Sequence, residues 1–484
     1  MRIGVVDRIR GTFGLSVVQF SLIAGAVCAA PPTTAPASNS PATIFDIRTA
    51  GAVGDGTTLD TKSIQSTIDQ CSAAGGGIVR VSGGKYVTGT IYLKNDVCLH
   101  VDSGAAILGS PHIADYTTDT DRTMYKGEPY MNRCLIFARD AQNISINGSG
   151  TIDGQGKSFP ERGDRQRNRP KMIRLLNCSH IRVSNINLRS PASWTNEWRY
   201  CSDIAVDGIS IISRANSNGD GIDFDGCTNV RVSNSSFDTS DDSICLQTSM
   251  VDKPCRDVNI SNCKFTSRWA GVRIGLLSRG DFEDVTVSDC IFTNHNDSGL
   301  KIQMNEGGEM KNMLFKNLVM KNVPRPVFLT FCQKNAWVDS PTELAPMKRV
   351  ADIRFENITV DDEAGGKNAA FIVTGMPDHP VEDITFSNIH ATFAGGGTAD
   401  DAKDVLAELT PEDLATRWPE YSMLHGTVPA FGIYARHVKG ITLEQVNLST
   451  TKPDARSAVA FVDVSKSKTV DSPGPATSDA VESK

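Results

Sequence analysis

The sequence is poor in aromatic residues, at 7%, and carries no surplus of positive charge; its formal net charge is −7. That balance argues against a broad nucleic-acid or anionic-membrane surface, so neither partner is expected. No Cys-x-x-Cys pair and no His-Glu-x-x-His motif occurs, so no structural zinc, catalytic metal or other cofactor is expected. Beyond the N-terminus no apolar stretch is long enough to span a bilayer. A Leu-rich repeat consensus is also missing.

What is present begins with an export-like leader. Arg2, Arg8 and Arg10 precede an apolar run from Leu15 to Val27, followed by small residues at Cys28-Ala29-Ala30. Residues 1–29 read as a signal peptide, which implies a secreted or periplasmic protein with no membrane attachment after cleavage; an uncleaved anchor is the alternative. Val27 before Cys28 fits a lipoprotein site poorly. Residues 30–43, rich in Pro, Thr, Ser and Ala, read as a linker. Of twelve Cys, several recur at one place in a local pattern, as in Asn177-Cys178, Tyr200-Cys201, Gly226-Cys227 and Pro254-Cys255. Small buried residues in a stack explain this better than a disulfide framework.

From the middle of the chain a unit repeats: Asn, Asp or a stand-in, then apolar-x-apolar. It appears at His180-Ile181, Asp203-Ile204, Asn229-Val230, Asp257-Val258, Asp284-Val285 and Asn312-Met313, with steps of 23, 26, 28, 27 and 28 residues. Looser copies follow at Asp352-Ile353, Asp383-Ile384 and Gly440-Ile441. A period in the twenties with short β-branched strands predicts an all-β fold, a parallel β-helix, over residues 44–470. Asp60 as N-cap, Ile64, Ile68 and Cys71 at helical spacing, and Gly75-Gly76-Gly77 as stop predict one helix over Thr61–Ala74 that caps the solenoid. Thr410-Pro411-Glu412-Asp413 reads as a helix start in an inserted loop. The last strand is expected at Ala458–Val462, and 471–484 as a disordered tail.

The chemistry concentrates in Asn218-Gly219-Asp220-Gly221-Ile222-Asp223 and Ser240-Asp241-Asp242-Ser243. Asp241 follows Asp220 by 21 residues, about one coil. Coils stack about 4.8 Å apart, so Asp220, Asp241 and Asp242 are expected to converge. Crowded carboxylates raise one another's pKa, which suits acid–base work; a turn motif or a Ca²⁺ site is the plainer reading. For Asp241 and Asp242 both to face a cleft, Ser240 to Ser243 must form a bend.

These motifs resemble those of the polygalacturonase family, glycoside hydrolase family 28, over Phe45 to Val462. Asn218 to Asp223 is similar to the family's Asn-Thr-Asp-Gly-x-Asp, with Gly219 at the Thr, and Asp241-Asp242 to its paired aspartates. Gly51-Ala52-Val53-Gly54-Asp55-Gly56-Thr57 and Ser190-Pro191-Ala192-Ser193-Trp194-Thr195 add to the resemblance. It implies a right-handed β-helix and hydrolysis of pectin-type acidic polysaccharide with inversion, Asp241 as general acid and Asp220 with Asp242 holding the water. Three departures bear on the substrate: Trp269-Ala270-Gly271 lacks the family's His at Ala270, Lys301-Ile302-Gln303 replaces Arg-Ile-Lys, and Glu197 stands where a His is often found.

Asp223, Cys245, Arg273 and Lys301 each sit between two apolar strand residues and are expected to stack on successive coils, facing outward. Arg273 and Lys301 then suggest a cationic pair for an anionic sugar, since two cations one coil apart call for an anion between them or a neighbouring carboxylate such as Asp223; a solvated surface row is the plainer reading. Asp223, Arg273, Lys301, Gln303, Trp269 and Gln247 form the expected substrate-binding set. Trp194 and Trp198 are further stacking candidates, against packing under loops. Asn143, Asn229, Asn312 and Asn357 read as stacked turn residues. Two other functions remain open on the same fold: a polysaccharide lyase, and a non-catalytic glycan-binding protein.

Overall fold

The computed structural model describes residues 43–121, 132–160, 169–332, 347–363, 365–409, 420–421, 424 and 426–478. The expected leader and linker, apart from Thr43, and the expected helix start at Thr410 lie outside these ranges.

The chain is a right-handed parallel β-helix. Each coil's strand pairs in parallel with that of the next, as in Ile181↔Ile204, Ile204↔Val230, Val230↔Val258, Val258↔Val285 and Val285↔Met313. The line continues to Ile353, Ile384 and Ile441, so the repeat read from the sequence is one continuous ladder. Its members are 0–2% exposed. No coil buries this face alone; stacking does.

The residue before each ladder member explains the recurrent Asn and Asp. His180, Asp203, Asn229, Asp257, Asp284, Asn312, Asp352 and Asp383 all have φ between 52° and 57°, and Gly440 has φ 88°. Asn and Asp tolerate this left-handed turn better than other L-residues because their short side chains bond locally. Here those side chains also stack: Asn229 Nδ2 donates to Asp203 Oδ1 at 2.7 Å, and Asn143 Nδ2 to Asp96 Oδ1 at 2.7 Å. A second turn line runs Asn317, Asn357, Asn388, with donor–acceptor distances of 3.0 and 2.8 Å. Inside, aromatic rings form their own columns: Phe237, Phe265 and Phe292 lie 5.2 and 5.0 Å apart, and Phe315, Phe355 and Phe386 5.2 and 4.9 Å.

The capping helix runs Thr61–Ala73 and buries Ile64, Thr67, Ile68 and Cys71 against the first coils. Asp60 occupies its N-cap position but makes no capping bond. Its carboxylate instead accepts from Val53 N at 2.7 Å and Gly54 N at 3.1 Å, tying down the glycine-rich opening loop. The eleven cysteines of the described residues are all free, and only Cys98 is not fully buried. At the C-terminus the structure corrects two expectations. The last long strand is Ser457–Val470, and Ala476–Ser478 pairs with Ala460–Val462 rather than belonging to a disordered tail. Edge backbone groups recruit even a Ser- and Pro-rich segment when an open strand lies beside it.

Candidate active site

Two rows of side chains on one wall build the site. Parallel pairing aligns Ile173, Asn196, Ile222, Ile244, Val272, Leu300 and Val327. The residues two places earlier form the edge of the wall: Lys171, Trp194, Asp220, Asp242, Ala270, Ser298 and Arg325. The residues one place later form its floor: Arg174, Glu197, Asp223, Cys245, Arg273, Lys301 and Phe328. Asp220 and Asp242, 22 residues apart, thus occupy equivalent places on adjacent coils, and Asp241 stands one residue short of that register.

The local sequence makes this approach possible. Asn218 takes φ 54° and its Oδ1 accepts from Arg169 Nη2 at 2.9 Å. A Cβ on Gly219 would lie 2.2 Å from Ser213 O and 2.5 Å from Ser240 Oγ, and one on Gly221 2.2 Å from Ser243 O. The coil carrying Asp220 therefore needs glycine on both sides of it to lie this close to the next. The strands stop at Thr239 and resume at Ile244, so Ser240 to Ser243 form the expected bend. Thr239 Oγ1 and Ser267 Oγ both donate to Asp241 O at 2.6 Å and hold that bend.

Asp220, Asp241 and Asp242 each offer an oxygen, and all three oxygens lie within 4.8 Å of one another. Measured between nearest oxygens, this is closer than the spacing of two carboxylates on opposite sides of a sugar. Two hydrogen bonds of about 2.8 Å meeting at one water span about 4.5 Å between their acceptors. The trio therefore has the spacing to grip a single water, or a cation. Asp220 and Asp242 are 6% and 2% exposed, whereas Asp241 is half-buried at the mouth. Burial, then the Asp241, Asp223 and Asp242 carboxylates, push the Asp220 carboxyl well above its usual range. Burial also raises Asp242, while Arg273 and Lys301 pull it back. Asp242 Oδ1 accepts from Ala270 N at 3.2 Å and Oδ2 from Arg273 Nη1 at 3.2 Å. Where the family carries His, this chain presents a backbone N–H.

The floor row stacks in the expected register, but it is no solvated surface row. Asp223, Cys245, Arg273 and Lys301 are 0–3% exposed. The carboxylate between the two cations is Glu420, not Asp223. Glu420 Oε1 lies 3.2 Å from Arg273 Nη2, and Glu420 Oε2 is in contact with Lys301 Nζ. Arg273 Nη2 also donates to Gln303 Oε1 at 2.6 Å, and Lys301 Nζ stands 2.8 Å from Asp297. Burial opposes the charge on Asp297, but Lys301 and Arg325 draw its carboxyl down to about 2. Asp223 looks the other way: its Oδ1 accepts from Gln247 Nε2 at 2.9 Å, and burial pushes its carboxyl well up.

Of the tryptophans, Trp269 is 36% exposed, with Lys301 Nζ 4.6 Å from its ring centroid. Trp194 is 6% exposed and covers Lys171 Nζ at 3.5 Å. Trp198 points into the core, edge-on to Phe224 at 5.4 Å, and is no stacking platform.

Glu197, at the family's other His position, anchors an ion cluster that sequence reasoning missed. Lys171 Nζ is 2.9 Å away, Arg174 Nε bonds to it directly, and Arg199 Nε is 3.8 Å away. Burial presses the Lys171 ammonium down to about 8 although Glu197 pulls it up. Lys171 carried a legible signal, standing two residues before the strand residue Ile173 as Asp220 and Asp242 stand before Ile222 and Ile244. Glu420 carried none. A second acidic group, Asp281, Glu283 and Glu309, also brings oxygens within 4.8 Å, but Lys348, Lys311 and Arg349 already neutralise it.

A solenoid bearing three convergent aspartates beside an exposed tryptophan has the form of a carbohydrate-active β-helix. The chain matches Glycosyl hydrolases family 28 over residues 110–410 and belongs to that family; it is a glycoside hydrolase. It is 26% identical over 392 residues to a probable polygalacturonase of Vitis vinifera, covering 76% of this chain and 79% of that protein. It is likewise 26% identical over 427 residues to the exo-poly-alpha-D-galacturonosidase of Dickeya chrysanthemi, covering 75% and 69%. The family 28 exopolygalacturonase of Yersinia enterocolitica superposes with a TM-score of 0.70 at 20% identity, over 89% of this chain and 78% of that one, which supports the fold.

Proposed function

We propose that the protein hydrolyses glycosidic bonds in pectin-type acidic polysaccharide, inverting the anomeric centre. Asp241, the most accessible of the trio, protonates the leaving oxygen. Asp220 and Asp242 hold the attacking water and take its proton. The observation that carries hydrolysis is the convergence of three carboxylate oxygens within 4.8 Å, with Asp220 and Asp242 displaced upward in pKa; inversion rests on membership of the family, not on that spacing. Arg273 keeps a negative charge on Asp242 accessible in spite of its burial. Two relatives whose names specify galacturonan cleavage support the substrate class. The leader read over 1–29 supports export to the periplasm or the medium, where such a polymer is met; among the described residues no helix is long and apolar enough to cross a membrane.

Asp241→Asn tests the assignment. Hydrolysis of pectic oligosaccharides falls by about 10²–10⁴-fold while oligosaccharide binding persists. Unchanged turnover removes Asp241 from the chemistry. An unsaturated, UV-absorbing product would mark elimination instead.

A further inference from the structure

Every cation on the floor and edge of the site between Lys171 and Lys301 is already matched to a protein carboxylate and withdrawn from solvent. Side-chain exposures are 0% for Lys171, 0% for Arg174, 3% for Arg199, 4% for Arg273 and 0% for Lys301. On one side of the trio, Glu197 holds Lys171 and Arg174, and Asp121 lies 2.9 Å from Arg199. On the other, Arg273 and Lys301 meet Asp242, Asp297 and Glu420. Of these three carboxylates, Glu420 is the most exposed, at 16%, and it comes from a distant loop, 147 residues along the chain from Arg273.

A carboxylate bridging a guanidinium and an ammonium is the arrangement a bound uronate would make, and here the protein supplies it. A free uronate arriving at the same place would have to displace Glu420, or lie beside Glu420, Asp297 and the trio with no cation of the floor or edge free to meet it. Like charges at such distances in a water-poor pocket repel strongly. An uncharged sugar resting on the exposed part of Trp269 meets no such penalty, since sugar–aromatic contact needs only apolar C–H surface.

We propose that the sugar unit lying against Trp269, above Arg273 and Lys301, is uncharged, either a neutral sugar or a uronic acid with its carboxyl esterified, and that Glu420 sets this selectivity. The proposal rests on the hydrolase reading above. Arg273 and Lys301 are then positioning residues: they hold Asp242 and the loop bearing Glu420, and do not recognise a substrate charge.

The test compares kcat/KM on two oligogalacturonides of one length, one methyl-esterified and one not, for wild type, Glu420→Gln and Glu420→Asp. Wild type prefers the esterified chain by tenfold or more. Glu420→Gln, which uncovers positive charge without changing shape, shifts the ratio at least tenfold toward the unesterified chain, chiefly through KM, and Glu420→Asp shifts it less. Wild-type preference for the unesterified chain overturns the proposal, as does a ratio unmoved by Glu420→Gln. Calorimetric binding of the unesterified oligosaccharide to Asp241→Asn and to Asp241→Asn/Glu420→Gln reads the same seat without turnover; the double variant binds about tenfold tighter, and equal affinity overturns the proposal. Failure of the hydrolase reading looks different: wild type then releases no new reducing ends from either chain, or releases an unsaturated, UV-absorbing product.

Discussion

Arg273 Nη1 stands 3.2 Å from Asp242 Oδ2, joining the floor of one coil to the acidic bend of the coil before it. Burial works against the guanidinium charge, and Asp242 and Glu420 sustain it. Removing Arg273 takes the ion-pair partner from the buried Asp242 and leaves Glu420 to Lys301 alone. Arg273→Ala therefore lowers kcat by about 10²-fold, as expected when a base loses the group that positions it, and does so on charged and uncharged substrates alike. Steady-state kinetics check this. A loss confined to KM on anionic substrates would instead mark Arg273 as a uronate contact.

Glu197 is the sole carboxylate within salt-bridge reach of both Lys171 and Arg174 among the described residues. Glu197→Gln takes the ion-pair partner from the fully buried Lys171 and costs about 3–5 kcal/mol by urea denaturation at pH 7. Although burial opposes it, Arg174, Lys171 and Arg199 hold the Glu197 carboxyl far below its ordinary value. A depressed carboxylate gives stability above its unfolded pKa and loses it as pH falls through the folded one. The part of the gap that comes from the Glu197 carboxylate therefore holds down to pH 5 and is lost only in stronger acid, while Lys171, lowered further without Glu197, widens the gap as pH falls below 8.

His295 is 4% exposed, packs on Phe292 at 5.8 Å, and neither ring nitrogen has a hydrogen-bond partner among the described residues. Burial, with Arg214 adding to it and Asp297 opposing, forces its pKa down to about 3. Between pH 6.5 and 3 the unfolded chain takes up a proton that the folded chain refuses, so stability falls as the solution is acidified. His295→Leu removes this term. Its stability changes by less than about 1 kcal/mol at pH 8, because no hydrogen bond is lost. Between pH 6 and 4 it loses less stability than wild type, by up to about 1.4 kcal/mol per pH unit. Parallel slopes for the two proteins in that interval contradict the assignment.

Much of this was legible in the sequence because a solenoid converts spacing into contact. Ile181 to Met313 announced the coils, and the 21-residue step from Asp220 to Asp241 announced the trio. The same parity argument applied to Trp198 would have placed it inward, since it aligns with Phe224 and Leu246. The charge balance was not legible. Arg273 and Lys301 looked like free cations because their partner Glu420 arrives from an inserted loop that follows no repeat. The pairing of Ala476–Ser478 escaped for a related reason: an open edge strand accepts backbone, whatever its composition.

The central claim is a direct attack by a water that Asp220 and Asp242 hold. Its sharpest test is proton NMR of the first product formed on a pectic oligosaccharide, recorded before mutarotation. The reducing-end signal appears first with the anomeric configuration opposite to that of the bond cleaved. Initial retention of configuration would require a covalent sugar–aspartate intermediate and would contradict the account.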